Sequence, residues 1–97
     1  MITLQDYQWL FRRLPTMAAS IDEDGRFLDV NDALLERLGY DRDDMVGHRP
    51  EEFVTPESAR RIKEEFRPAL RRTGRLENKP VGFLTSTGDV VDCMTNS

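Results

Sequence analysis

Apolar residues along the chain change period several times, and each change predicts an element. Over residues 3–14, "TLQDYQWLFRRL", Leu4, Tyr7, Leu10, Phe11 and Leu14 recur at helical spacing and share one face. Thr3 can cap this helix, Asp6 sits in its first turn, and Pro15 ends it. Trp9 lies off the stripe. The helix either folds back on its own core or also packs against a second subunit, and the two readings are compatible. From residue 17 the period shortens to two. Met17, Ala19 and Ile21 alternate with Ala18, Ser20 and Asp22, as in a half-buried strand. "DEDGR" then supplies a turn with Gly25 free to take positive φ, and "RFLDVN" is the returning strand. Asn31 can cap a helix carrying Leu34, Leu35 and Leu38, with Gly39 beyond its end.

The second half repeats this grammar. "DRDDMVG" is a short helix with Asp41 as cap and Gly47 as stop, and "HRPEEFV" adds a single turn with Phe53 inward. "TPESARRIKEEFRPALRRTG" is the longest helix, with Thr55 as cap, Pro56 first and Gly74 as stop. Ala59, Ile62, Phe66, Ala69, Leu70 and Thr73 form its buried stripe. Pro68 removes a hydrogen bond to Glu64 and is expected to bend the helix or end it early. A strand over 75–86, weakened by Pro80 and Gly82, a hairpin loop with Gly88, and a strand over 89–97 complete the chain.

Composition narrows the setting. In 97 residues there is room for one domain and a modest core. The net charge is −4, and six basic residues of the long helix (Arg60, Arg61, Lys63, Arg67, Arg71, Arg72) are interleaved with Glu57, Glu64 and Glu65. That is a solvated face, so no nucleic-acid partner is expected. One cysteine, Cys93, excludes an internal disulfide and fits a reducing compartment. Neither a membrane-length apolar run nor a secretory leader is present, so a cytoplasmic location without direct membrane insertion is expected.

Candidate chemistry is sparse. One His and one Cys cannot form a close metal set, and the acids Asp22, Glu23 and Asp24 lack calcium-loop spacing. Asp41, Asp43 and Asp44 read as capping residues rather than as a catalytic pair. No nucleophile–base set or phosphate loop appears, so the domain itself is not expected to be an enzyme.

The succession "IDEDGRFLDVN", "LLERLGY", "DDMVGH", the long helix and "TSTGDVVD" resembles a PAS domain, the sensory box of bacterial-type signalling proteins. The resemblance runs from Leu10 to Asp92. It implies an α+β fold: a five-stranded antiparallel sheet with helices on one face and an N-terminal helix against the other. Residues 1–15 would be an N-terminal amphipathic helix and 16–97 the core. The family's fifth strand, central in its sheet, has no counterpart here. That implies a C-terminally truncated core or a strand supplied by another molecule.

The resemblance further implies a sensory module that controls a linked output domain such as a histidine kinase or diguanylate cyclase. Haem is disfavoured because the long helix has no axial histidine, and the only histidine, His48, follows Gly47 at a polar, surface-type position. Cysteinyl-flavin photochemistry is disfavoured because "GHRPEEF" has no cysteine; Cys93 lies on the last strand. No cofactor is therefore expected. Inward phase selects Met17, Ala19, Ile21, Val30, Leu34, Leu38, Met45, Phe53, Ile62, Phe66, Phe83 and Val91, which either fill a core or line a pocket for a small apolar ligand. Leu4, Tyr7, Trp9, Leu10, Phe11 and Leu14 are the candidates for a homodimer contact. A ligand-free protein-interaction module is the alternative to a ligand-binding sensor.

Overall fold

The computed structural model describes residues 1–97. Backbone contacts divide the chain into two compact units, Met1–Arg49 and Pro50–Ser97.

The first unit begins with helix α1 (Leu4–Arg12), capped reciprocally by Thr3 and Asp6. Strands β1 (Ala19–Ile21) and β2 (Phe27–Val30) then form an antiparallel hairpin. Asp22 closes its turn: one carboxylate oxygen accepts from the backbone N–H groups of Asp24 and Arg26, and Gly25 takes φ +84°. The acidic cluster at this hairpin is thus turn chemistry.

Pairing runs Ala19 to Val30, Ser20 to Asp29, then Ile21 to Phe27, so β2 holds one extra residue at Leu28. Simple alternation would send Phe27 and Val30 to opposite faces. The bulge returns both to one face, and both are buried. Helix α2 (Asp32–Leu38) ends at Gly39, which has φ +82°, and buries Leu34 and Leu38. Helix α3 (Arg42–Met45) buries Met45. The chain leaving α3 pairs with β2: Gly47 N–H donates to the Phe27 carbonyl, and Phe27 N–H to that of His48.

The second unit opens with a 3₁₀ turn (Pro50–Phe53). Helix α4 (Pro56–Arg61), a π turn (Ile62–Phe66) and helix α5 (Arg67–Thr73) follow without interruption. Pro68 neither ends this helix nor halts it early. The wider turn lies just ahead of it, with Arg67 N–H reaching the Ile62 carbonyl, and absorbs the bond Pro68 cannot make. Strands β3 (Lys79–Leu84) and β4 (Val90–Thr95) pair antiparallel around a loop in which Gly88 has φ +90°. β3 starts four residues later than residue 75. Leu76 ahead of it is buried, and Asn78 takes φ +51°.

Pro80 sits within β3 at no cost to the ladder. Gly82 N–H donates to Ser58 Oγ and its carbonyl accepts from Thr55 N–H, so the backbone of Gly82 faces away from β4. Pro80, two residues earlier, faces the same way. Val54, Phe66, Leu76 and Val81 form the core of this unit, with Ile62, Leu70 and Phe83 packed against it. The four strands make two separate two-stranded sheets. This is the antiparallel α+β arrangement expected without the fifth strand.

Candidate functional site

No α1 residue is buried. Leu4, Tyr7, Trp9, Leu10 and Leu14 are all exposed, while Phe11 is half-buried. Four large apolar side chains on a nine-residue helix, with Leu14 just beyond its end, form an unusual surface, since water-facing helices normally place charge there. Arg13 stacks over the Trp9 ring at 4.5 Å.

Two polar residues fasten α1 to its unit. Asp29, on the face of β2 opposite Phe27 and Val30, accepts from Arg12 Nε at 3.1 Å and from Arg42 Nε at 3.2 Å. Arg42 also donates to the Val30 carbonyl and to Asp32. Asn31 has no exposed surface. Its Oδ1 accepts from the Ala18 and Leu34 N–H groups, and its Nδ2 donates to the Thr16 carbonyl at 2.7 Å. One side chain thus caps α2 and holds the segment that links α1 to β1. The sequence showed the cap; the link across 15 residues depends on the hairpin's return and has no local signal.

The interior candidates divide sharply. In the first unit Val30, Leu34, Leu38 and Met45 are buried, and Met17 is half-buried. Ala19 and Ile21, expected inside, are exposed. Their register is not at fault, because they lie opposite buried Val30 and Phe27. β1 has a ladder partner on one side only, and its own part of that face has no cover. In the second unit Phe53 and Phe66 are buried; Ile62, Phe83 and Val91 are half-buried. Thr73, assigned to the buried stripe, is exposed at the helix end and donates its hydroxyl to the Ala69 carbonyl. Alternation missed Phe27 because of the bulge. Val54, Leu76 and Val81 were also missed, although Val81 shares its phase with Phe83.

His48 is exposed and Cys93 half-buried. Helix cations are engaged locally: Arg60 with Glu64, Arg61 with Glu65, and Arg67 with Glu51 through two bonds of 2.8 and 3.0 Å. The Arg61 hydrogen bond holds the Glu65 carboxyl below the usual glutamate range. Hydrogen bonds from Thr3 do the same for Asp6, whereas burial, then the Asp44 charge, raises the Tyr40 phenol.

An open groove of about 520 Å³ lies beside β3 and β4 in the second unit, lined among others by Thr55, Arg61, Pro80, Gly82, Asp92 and Met94. Gly82 shapes its floor, since a Cβ there would approach the Thr55 methyl to 3.2 Å. No helix is long and apolar enough to cross a membrane.

Residues 11–86 match the family model of the PAS fold. This chain belongs to the PAS family. Similar solved structures agree with that fold. A PAS domain from Colwellia psychrerythraea is 18% identical with a TM-score of 0.78, over 92% of this chain and 75% of that one. The PAS domain of a LuxR-family transcriptional regulator from Burkholderia thailandensis, in complex with ethanol, is 22% identical with a TM-score of 0.78, over 94% and 80%. A domain of a sensory box sensor histidine kinase/response regulator from Geobacter sulfurreducens is 23% identical with a TM-score of 0.73, over 95% and 79%. Comparison with curated proteins gave no match.

Proposed function

We propose that this PAS domain is a regulatory module of a signalling protein that self-associates through α1 and passes changes in its packing to a linked output domain. The exposed apolar surface of α1 carries this reading. A helix with no buried residue and four exposed large apolar side chains, followed by exposed Leu14, contributes little to its own core and much to a partner. The Asp29 and Asn31 contacts supply the mechanical side, because they tie α1 to the hairpin and to α2. The PAS relatives from a sensor kinase and a transcriptional regulator support a signalling context. Replacing Tyr7, Trp9 and Leu10 together by Gln tests it. Sedimentation of the triple variant is expected to show monomer where the parent chain shows dimer; an unchanged dimer overturns the reading.

A second reading is a sensor for a small, weakly polar molecule. It is favoured by the all-apolar character of the buried candidates and by the ethanol found with the Burkholderia domain. Native mass spectrometry with an absorption spectrum tests this. A mass excess lost on denaturation supports it, and a bare chain mass without visible absorbance removes it.

A further inference from the structure

Four charged side chains of the first unit are linked in series, alternating in sign, from the start of α2 to the last turn of α1. Exposed Asp32 accepts from Arg42 Nη2 at 2.9 Å, Arg42 Nε donates to Asp29 Oδ1 at 3.2 Å, and Asp29 Oδ2 accepts from Arg12 Nε at 3.1 Å. Asp29 is the most enclosed of the four, so its two pairs are the least screened by water.

This arrangement splits the Arg42 fork. The Nε–H and one Nη2–H of a guanidinium point the same way and can grip both oxygens of a single carboxylate. Here Nε goes to Asp29, while Nη2 goes to the Val30 carbonyl at 3.0 Å and to Asp32. Asp29 Oδ1 also takes the Val30 N–H, which leaves Oδ2 to Arg12. Arg12 makes one bond there, and no residue of α1 is buried, so that bond weighs heavily in how the helix is held.

We propose that Asp32 governs how firmly α1 is fastened, by keeping one prong of the Arg42 fork off Asp29. A basic side chain that pairs with exposed Asp32 draws it from Arg42. The freed Nη2 then closes on Asp29 Oδ2, and Arg12 is displaced into water. The chain thereby has two arrangements, α1 fastened or α1 free, and a charge at the start of α2 biases them. The proposal goes beyond the self-association reading and does not require it.

The experiment measures the order of α1 in the 97-residue chain at a dilution where sedimentation shows monomer. Backbone order parameters over Leu4–Arg12 are expected to fall from about 0.85 in the parent to below about 0.6 in Asp32→Ala. Trp9, the only tryptophan, should report the same loosening as a faster anisotropy decay. Lysine keeps the charge of Arg42 but has no fork, so Asp32→Ala made in an Arg42→Lys background should leave α1 as ordered as Arg42→Lys alone. Circular dichroism checks that each variant is folded. An α1 that stays ordered in Asp32→Ala, or that is already loose in the parent, overturns the proposal. Equal loosening in the Arg42→Lys background overturns it too, because Asp32 would then act without the fork. None of these results bears on the dimer test, whose failure in turn leaves this proposal standing.

Discussion

The two units of this chain are held together by different means. In Met1–Arg49, around buried Phe27, Val30, Leu34, Leu38 and Met45, the elements are also joined by polar side chains: Asn31 gathers three segments, Asp29 takes two arginines, and the turn is closed by the Asp22 side chain. In Pro50–Ser97 a single helix lies over a hairpin, and Val54, Phe66, Leu76 and Val81 supply the cohesion. Hydrogen bonds fix direction and length, whereas apolar packing tolerates sliding and repacking. The polar contacts of the first unit therefore hold α1 at a set orientation, a task with no counterpart in the second.

The largest effect should come from the core of the second unit. Phe66→Ala is expected to cost about 3–5 kcal/mol, read from chemical denaturation, because its neighbours cannot close over the void. Next is Asn31→Ala, at about 2–4 kcal/mol, since it removes a helix cap and strands two N–H groups and a carbonyl. The contrast lies in where each acts. Hydrogen exchange should show Asn31→Ala loosening residues 14–18 and α2 first, and a uniform loss across both units would erase the distinction drawn here.

A smaller change is expected from Asp29→Asn, about 1 kcal/mol, because the bridged pairs are half-exposed. Its signature is mobility of α1 measured by NMR relaxation while the hairpin stays ordered. Smallest is the acid response of α1. Asp6 has a lowered folded pKa, so its contribution is present above the ordinary aspartate range and is lost as pH falls through the depressed value. Helical dichroism of the parent chain should fall on acidification more than that of Asp6→Asn, which lacks this carboxylate.

Local signals in the sequence translated well. Thr3, Asn31 and Thr55 cap their helices, and Gly39, Gly74 and Gly88 take the left-handed conformation that ends a helix or turns a hairpin. These features depend on neighbours within four residues. What resisted reading depends on distant chain or on one inserted residue. The π turn ahead of Pro68 keeps the helix intact, an outcome that proline's missing N–H alone does not predict. Exposure of Ala19 and Ile21 follows from strand neighbours rather than from alternation. Of the candidate site, the α1 surface was legible from periodicity. Its attachments through Asp29 and Asn31, and the groove at Gly82, were not, because they join residues far apart in sequence.

The extra residue at Leu28 also makes β2 a segment with parity. Removing that one residue would align the ladder and straighten the strand, and Phe27 and Val30, then two positions apart, would still share one face. Length variation in this hairpin should therefore be accepted at Leu28 or at the tip near Gly25, and the loss of Leu28 should cost the local bend and twist of the strand rather than a buried side chain.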